Sequence, residues 1–332
     1  MEWVLLPSIA RRGFARLVGQ QEEIARWSEE ARWNRLALDG AGSTGVIAAG
    51  VGVGYLLESS DGAPPPYLRL GTWPAPAAMI RRLFEKVDEV LVLEEGYPLL
   101  ERALRGPLGP GAKRVRGRLD GTLPRTGELD PDSVRAALGR PTLAHAEAPT
   151  VPPRPPRLCE GCPHFDSIAL VTAIRDEQPA TRVFGDIGCY TLAAYPPLSA
   201  CDTTLCMGAS IGMAMGAAQV GMRPVFALIG DSTFTHSGMP ALLGAARQDL
   251  DLTVLIVDNA AVAMTGCQET LATGDGLAAI VRGLGVDPAH VHVLRAHHRD
   301  HEANLALVRR EVDHRGLSVI IAHRECVLTP KR

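Results

Sequence analysis

The sequence Gly230-Asp231-Ser232-Thr233 closes one apolar run, and Leu252-Thr253-Val254-Leu255-Ile256-Val257-Asp258-Asn259 forms the next. Both runs indicate buried strands, and the helix-like segment between them predicts a parallel β-α-β unit. Asp231 and Asn259 then lie at the carboxyl ends of neighbouring strands, where parallel sheets bind ligands. Oxygen ligands beside small residues that expose backbone N–H groups are typical of a Mg²⁺ ion completed by a diphosphate.

The second half of the chain repeats this alternation of short apolar strands and helices. Such a pattern predicts an α/β fold with a doubly wound parallel sheet. Strands are expected at 182–184, 224–229, 252–257, 290–294 and 318–322, and helices at 165–177, 208–220, 238–247, 276–284 and 301–314.

The first half is predicted to be a separate α/β domain. Strands fit 46–49 and 90–93, an amphipathic helix fits 77–87, and a polar helix fits 19–35. Six prolines between Pro141 and Arg157 predict a stiff, extended linker. The expected organisation is therefore a domain over 1–140, a linker over 141–157 and a second domain over 158–332.

Composition excludes several classes of function. A net charge of −3 and only 5% aromatic residues argue against nucleic-acid binding. The apolar stretch 205–222 is rich in Gly and Ala, which favours a close-packed helix of an α/β domain over a membrane span. An odd count of seven cysteines, without a recognisable signal peptide, favours a reducing, cytoplasmic compartment.

Five motifs in one order resemble the large subunit of indolepyruvate ferredoxin oxidoreductase, a thiamine diphosphate-dependent 2-oxoacid oxidoreductase. The resemblance covers nearly all of the chain. It implies that the second domain binds thiamine diphosphate and that the first is a transketolase C-terminal-like domain. The motifs are Gly185-Asp186-Ile187-Gly188-Cys189-Tyr190-Thr191-Leu192, Cys206-Met207-Gly208-Ala209-Ser210, Gly230-Asp231-Ser232-Thr233-Phe234, His236-Ser237-Gly238 and Ala263-Met264-Thr265-Gly266.

The metal and diphosphate residues follow from these motifs. Asp231 and Asn259 are the expected Mg²⁺ ligands, and the resemblance implies the backbone carbonyl of Ala261 as a third. The N-terminus of the helix that begins near Gly208 attracts anions and is expected to make a further contact with the cofactor. The other candidate cofactor contacts are Gly230, Ser232, Ala209, Met264, Thr265 and Gly266.

The proton-transfer groups are less complete. His236 follows the Asp231 turn and is a candidate general acid/base or substrate contact, with capping of the next helix as the alternative. The resemblance implies that the Glu that activates the cofactor belongs to a pyrimidine-binding domain. We expect a separate partner chain to carry that domain, because no residue of this sequence can be assigned the role. The ferredoxin-like domain of the family is likewise not recognised here.

Four cysteines form a candidate iron–sulfur set. Cys159 and Cys162 make a Cys-x-x-Cys pair, Cys189 follows a predicted strand, and Cys326 follows the last one. Four thiolates suit a [4Fe–4S] cluster, with zinc or uncoordinated thiols as alternatives. The resemblance implies that these four hold the cluster nearest the thiamine. The remaining cysteines, 201, 206 and 267, are interpreted as packing or site-lining residues.

Five histidines lie close together in sequence near the carboxyl end of the chain. No Cys or carboxylate completes a convincing metal set among them, so we interpret them as surface residues. They are His290, His292, His297, His298 and His301.

The resulting functional hypothesis is a subunit of a 2-oxoacid oxidoreductase. It implies oxidative decarboxylation of an arylpyruvate-like acid to an acyl-CoA, with coenzyme A as co-substrate and electrons passed through the cluster to ferredoxin or a similar acceptor. The alternatives are a non-redox decarboxylase or carboligase subunit, and a non-catalytic scaffold that binds cofactor or partner.

Overall fold

The computed structural model describes residues 4, 6–109, 111, 113–143, 150–248 and 250–329. The chain falls into two units that divide between Thr150 and Val151. This division lies inside the predicted linker, of which residues 144–149 are outside the described part. Among the described residues, no helix is both long and apolar enough to cross a lipid bilayer.

The first unit contains a five-stranded sheet with helices around it. Its strands are β1 (Arg35–Ala37), β2 (Thr44–Ala49), β3 (Tyr67–Leu70), β4 (Glu89–Leu93) and β5 (Arg114–Arg116). Their order is β1-β3-β2-β4-β5, and only the β1–β3 pair is antiparallel. The helices are α1 (Pro7–Gly19), α2 (Gln21–Glu30), α3 (Gly52–Glu58), α4 (Ala77–Lys86), α5 (Leu99–Arg105) and α6 (Pro131–Ala137).

The amino-terminal helices differ from the prediction of one helix over 19–35. The chain forms α1 and α2 with a break at Gln20, and α2 ends at Glu30. Proline at the first position of α1 starts that helix early. Its fixed φ suits a helix, and the N–H that it lacks would have no hydrogen-bond partner in the first turn. Helix α1 buries none of its residues, and its apolar side chains Phe14, Leu17 and Val18 are exposed.

The second unit carries the larger sheet. Its strands are β6 (Arg182–Gly185), β7 (Thr203–Thr204), β8 (Val225–Gly230), β9 (Leu252–Asp258), β10 (Ala261–Val262), β11 (Gln268–Glu269), β12 (Val291–Arg295) and β13 (Leu317–His323). Its helices are α7 (Pro163–Glu177), α8 (Ala209–Gln219), α9 (Asp231–Thr233), α10 (Met239–Gln248), α11 (Gly274–Gly283) and α12 (His301–Asp313).

Six of these strands form one parallel sheet in the order β12-β13-β9-β8-β6-β7. Alternate residues of each central strand enter different cores: Leu255 and Val257 pack on one face, and Val254 and Ile256 on the other. A strand buried on both faces needs an unbroken apolar run, which is why periodicity predicted these strands correctly. Strands β10 and β11 form a separate small hairpin.

Candidate active site

The pairing of β8 with β9 sets two carboxylates side by side. Gly230 lies opposite Val257, so Asp231 and Asp258, the next residue along each chain, reach the same level at the carboxyl edge of the sheet. Both side chains are buried, with 3% and 1% of their surfaces exposed. This is the edge at which parallel sheets bind their ligands.

Asp231 has an incomplete set of partners. Its Oδ1 accepts a hydrogen bond of 2.7 Å from the Ser232 N–H, and its buried Oδ2 has no partner. Burial raises the pKa of Asp231 to about 7, and the negative charge of Asp258 adds to the rise, although the Ser232 hydrogen bonds oppose it. A bound cation would supply the missing partner and favour the ionised carboxylate.

Asp258, in contrast, is fully engaged. Its carboxylate accepts hydrogen bonds from the Thr273 hydroxyl at 2.8 Å, the Gly274 N–H at 2.7 Å and the Ala260 N–H at 3.1 Å, and it lies 2.9 Å from Nδ1 of His323. These contacts fix its position and leave Asp231 as the carboxylate that is free to bind. No role for Asp258 was predicted from the sequence.

A cavity of about 160 Å³ opens at this edge. It is lined by most of the predicted cofactor residues: Gly230, Asp231, Ser232, Asn259, Ala261, Met264 and Thr265. Residues that the sequence analysis did not assign to the cofactor complete it: His164, Ile187, Gly188, Cys189, Tyr190, Met207, Thr233, Val257, Val262 and Ala263. The roles assigned to the predicted residues remain predictions, but the structure does bring these residues together.

Buried hydroxyls without partners accompany the unpaired carboxylate oxygen. The Oγ atoms of Ser232, Ser210 and Ser237 are buried and make no hydrogen bond. Buried polar groups in native proteins are nearly always hydrogen-bonded, and of these three hydroxyls the one of Ser232 lies in the cavity lining beside Asp231. The Ser232 hydroxyl, which lines the cavity, fits a diphosphate oxygen.

The N-terminus of α8 is occupied by an internal anion. Asp186, fully buried after β6, accepts hydrogen bonds from the Gly208 N–H at 2.9 Å and from the Ser210 N–H at 3.1 Å. The Ala209 N–H donates to the carbonyl of Cys206. These partners differ from the predicted cofactor contacts of Gly208 and Ala209, neither of which lines the cavity. The left-handed φ of +87° at Gly208 is what allows the chain to turn toward Asp186.

Two further predicted residues lie outside the cavity lining, and a third lines it with its hydroxyl already engaged. His236 is exposed and does not line the cavity, so the structure gives no support to its acid/base role. Gly266 also lies outside the cavity lining. Thr265 does line it, but its hydroxyl donates to Gln268 Oε1 at 2.7 Å and is engaged locally.

Tyr190 and His164 form the inner wall. The buried ring of Tyr190 packs edge-on against His164 with 5.7 Å between ring centroids, and its hydroxyl donates to the Ile187 carbonyl at 3.1 Å. Burial lowers the pKa of His164 to about 4, and the positive charge of Arg324 lowers it further, so this imidazole is neutral at pH 7. The signal for His164 was its place directly after the Cys-x-x-Cys pair.

The four predicted cluster cysteines lie near one another. Burial raises the pKa of the Cys162 thiol, and the nearby Cys159 and Cys189 thiols raise it further. Burial likewise raises the pKa of Cys189, as do Cys326 and Cys159. Thiolates that disfavour each other's ionisation in this way are stabilised by a bound metal centre.

Hydrogen bonds of Arg324 and Cys326 bring the two distant cysteine segments together. Arg324 donates to the Gly161 carbonyl at 3.0 Å and pairs with Asp166 at 2.7 Å, which attaches the segment after β13 to the Cys159–Cys162 loop. The Cys326 N–H donates to the Asn259 carbonyl at 3.0 Å. The cysteine group is thus directly connected to the cavity.

A larger open cleft of about 870 Å³ reaches the same cysteine loop. Cys159 and Cys162 line it together with Phe165, Asp166 and Tyr195. Its charged and imidazole-bearing lining residues are Arg157, Glu160, Asp166, His297, His298 and Arg324. The cleft therefore offers access from solvent to the cysteine group.

The chain is similar to several known proteins. Residues 186–322 match the family described as thiamine pyrophosphate enzyme, C-terminal TPP binding domain. The indolepyruvate oxidoreductase subunit IorA of Methanothermobacter thermautotrophicus is 33% identical over 355 residues, covering 98% of this chain and 56% of the relative. The IorA subunit of Archaeoglobus fulgidus is 34% identical over 351 residues, covering 98% and 55%. A solved 2-oxoglutarate:ferredoxin oxidoreductase from Magnetococcus marinus matches 54% of this chain and 67% of its own, with 16% identity and a TM-score of 0.45.

Residues 186–322 therefore belong to the thiamine pyrophosphate-binding domains of the thiamine pyrophosphate enzymes. Over nearly its whole length the chain is a homologue of the IorA subunits of indolepyruvate oxidoreductase, and it spans about half of their length. The resemblance carried by the five motifs and the α/β fold class are both confirmed.

Gly230→Ala tests how closely the cavity wall is packed. The new Cβ would lie 2.8 Å from Cε1 of the buried Tyr190 ring, so we expect a loss of stability of about 1–3 kcal/mol. In the matched control, Gly212→Ala in α8, the Cβ meets nothing within 4 Å and should stabilise the protein by about 0.4–1 kcal/mol. Urea unfolding measures both, and a Gly230→Ala variant as stable as the wild type would contradict the packing described here.

Asp231 should make the metal-free protein less stable as the pH rises. Its folded-state pKa of about 7 exceeds the ordinary value of 3.8, so the folded state holds a proton that the unfolded state has released. The stabilisation is complete below about pH 4 and is lost as the pH rises through about 7, with a slope of up to about 1.4 kcal/mol per pH unit. Urea unfolding with a chelator, between about pH 4.5 and 7.5, should show this contribution to the slope in the wild type and not in Asp231→Asn.

The matched control is Asp275→Asn, because Asp275 is exposed on α11. This variant should keep the slope of the wild type. Equal slopes in the wild type and in Asp231→Asn would show that Asp231 titrates normally.

Proposed function

We propose that this chain provides the cofactor-binding half of a thiamine diphosphate-dependent 2-oxoacid oxidoreductase that acts on an arylpyruvate such as indolepyruvate. The observation that carries the proposal is the buried Asp231, with one unpaired carboxylate oxygen, in a cavity beside a group of four cysteines. The names of the related IorA subunits support the reaction class and the substrate.

The residues fit Mg²⁺ and a diphosphate. Asp231 and Asn259 would bind the ion through side-chain oxygens, and Ala261 through its backbone carbonyl, as a hard cation with oxygen ligands requires. The Ser232 hydroxyl, which lines the cavity and has no partner, would donate to the diphosphate, and Thr265 lines the same cavity. When bound, thiamine diphosphate supplies the carbanion that allows a 2-oxoacid to lose CO₂.

The chain's own groups set the environment of that chemistry. Ile187, Val257, Val262 and Met264 line the cavity and restrict water. His164 stays neutral there, so it can donate or accept a hydrogen bond without adding charge. Restricting water strengthens each electrostatic contact within the site.

The cysteine group fits a [4Fe–4S] cluster that would take the electrons. Cys159, Cys162, Cys189 and Cys326 provide four thiols, the number that such a cluster needs. Among the described residues, no three of these sulfurs come within 4.8 Å of one another. Sulfurs bound to one zinc ion would lie about 3.8 Å apart, given a Zn–S bond of about 2.3 Å. These thiols are therefore not drawn together as one zinc ion would hold them.

Partners complete the proposal. A cavity of about 160 Å³ is smaller than the roughly 300–1,000 Å³ of sites that enclose a whole small molecule. We therefore infer that a pyrimidine-binding domain outside these residues, on a partner chain, covers the rest of the cofactor and supplies the activating Glu. The relatives are named as subunits, which supports a hetero-oligomer. Ferredoxin or a similar acceptor and coenzyme A are the remaining partners, in a reducing cytoplasmic setting that suits seven free thiols.

Asp231→Ala tests the cofactor site without requiring turnover. We expect calorimetric titration with Mg²⁺ and thiamine diphosphate, or Mg²⁺ and inorganic diphosphate, to show binding at least about tenfold weaker, because a charged ligand is lost. Asp275→Ala, on the exposed face of α11, is the matched control and should bind as the wild type does. Equal binding by both variants would refute the metal assignment.

Cys159→Ser tests the electron path. Protein purified anaerobically from iron-supplied cells should contain about four iron and four sulfide per chain, and this substitution should remove them. The control is Cys206→Ser, since Cys206 is exposed and lies in another segment. Iron-free wild-type protein that still binds thiamine diphosphate would point to a non-redox decarboxylase or carboligase.

A further inference from the structure

Three side chains meet at the far side of the second unit from the cavity. His290, His292 and Glu311 each bring a potential ligand atom within 4.8 Å of the other two. Within the described part of the chain, no other group of three His, Cys, Asp or Glu residues does so. We call these residues the His–Glu cluster. It corrects the interpretation of His290 and His292 as plain surface residues, because a carboxylate does complete their set.

The distances inside the cluster are short. His290 Nδ1 lies 2.7 Å from Glu311 Oε2, and His292 Nε2 lies 2.8 Å from Glu311 Oε1. The buried Nε2 of His292 nevertheless makes no hydrogen bond of acceptable geometry. His292 Nε2 and Glu311 Oε1 are therefore as close as two ligands of one ion, and no hydrogen bond joins them.

Glu311 is anchored as a metal-binding carboxylate would be. Only 2% of it is exposed, and its Oε2 accepts a hydrogen bond of 3.0 Å from the buried Ser318 hydroxyl. The Ser318 hydroxyl therefore holds the carboxylate in place, as outer hydrogen bonds do in established metal sites.

The two histidines are oriented and still accessible. His290 stacks on His314 with 3.5 Å between ring centroids, which fixes its ring plane. The side chains of His290 and His292 are 24% and 18% exposed, so the rings reach the surface although Nε2 of His292 and the Glu311 carboxylate are buried. Arg310 also contacts Glu311 at 3.0 Å, but its side chain is 64% exposed and can swing into water.

We propose that His290, His292 and Glu311 bind one divalent transition-metal ion, for which Zn²⁺ is the best match, with a fourth position open to water. Two imidazoles and one carboxylate form a donor set that Zn²⁺ takes in proteins. The set lacks the additional oxygen ligands that Ca²⁺ and Mg²⁺ require.

The location argues for a role in stability. His292 and Ser318 are the second residues of β12 and β13, so the cluster lies at the amino ends of parallel strands, whereas the cavity lies at the carboxyl ends. Glu311 belongs to α12. An ion there would attach α12 to β12 and contact nothing in the cavity. The inference is therefore independent of the proposed function.

The test uses Co²⁺ and Zn²⁺ on the full chain after chelator treatment. We expect about one Co²⁺ per chain without thiolate-to-metal charge-transfer absorption, and a rise in melting temperature with Zn²⁺. His292→Gln and Glu311→Gln should each weaken binding by at least about tenfold and abolish the rise. His298→Gln, at an exposed histidine outside the cluster, should change neither.

The competing thiols are controlled with Cys159→Ser. If this substitution removes the bound Co²⁺, or if the His292→Gln variant keeps it, the proposal is wrong. Absence of binding in the wild type would also overturn it and leave a simple His–Glu contact. His292 is partly exposed, so His292→Gln remains decisive if the buried Glu311→Gln substitution prevents folding.

Discussion

The register between β8 and β9 is the constraint on which the site depends. Because Gly230 pairs with Val257, two carboxylates are forced into one buried place at the end of the sheet. A slip of one residue would turn every side chain of β8 to the opposite face, so the two apolar cores fix this juxtaposition. One carboxylate, Asp258, receives a complete set of partners from the protein, and the other, Asp231, is left incomplete. The energy that holds this arrangement comes from packing elsewhere in the domain, as is usual for strained or polar functional sites.

The central strands of the sheet were predictable from the sequence. Runs such as Val225–Ile229 and Leu252–Val257 are apolar on both faces, which is typical of buried parallel strands. Asp231 and Asn259 could be predicted as ligands because a strand end is visible in sequence. Asp258 and Asp186 were missed as functional neighbours because their importance arises from pairing. The first depends on the register, and the second on a loop that returns to the start of α8. Gly208 looked like an anion-binding helix start, but its N–H already donates to Asp186.

The His–Glu cluster illustrates the same limit. His290 and His292 are two residues apart in sequence, but Glu311 lies on the next helix and reaches them only after α12 has packed against the sheet. Pattern and spacing identify ligands on one element, and the fold supplies ligands from another. The cysteine group is partly recognisable from the sequence. The spacing of Cys159 and Cys162 indicates a pair of ligands, whereas Cys189 and Cys326 come near them only in the folded chain.

One backbone hydrogen bond has a consequence for how the site is assembled. The N–H of Cys326 donates to the carbonyl of Asn259, so the segment that carries the last cysteine also supports the loop that closes the cavity. The Cys326 segment and the Asn259 loop are therefore expected to be ordered together. Amide exchange at Cys326 would therefore report the order of the Asn259 loop together with that of the cysteine segment.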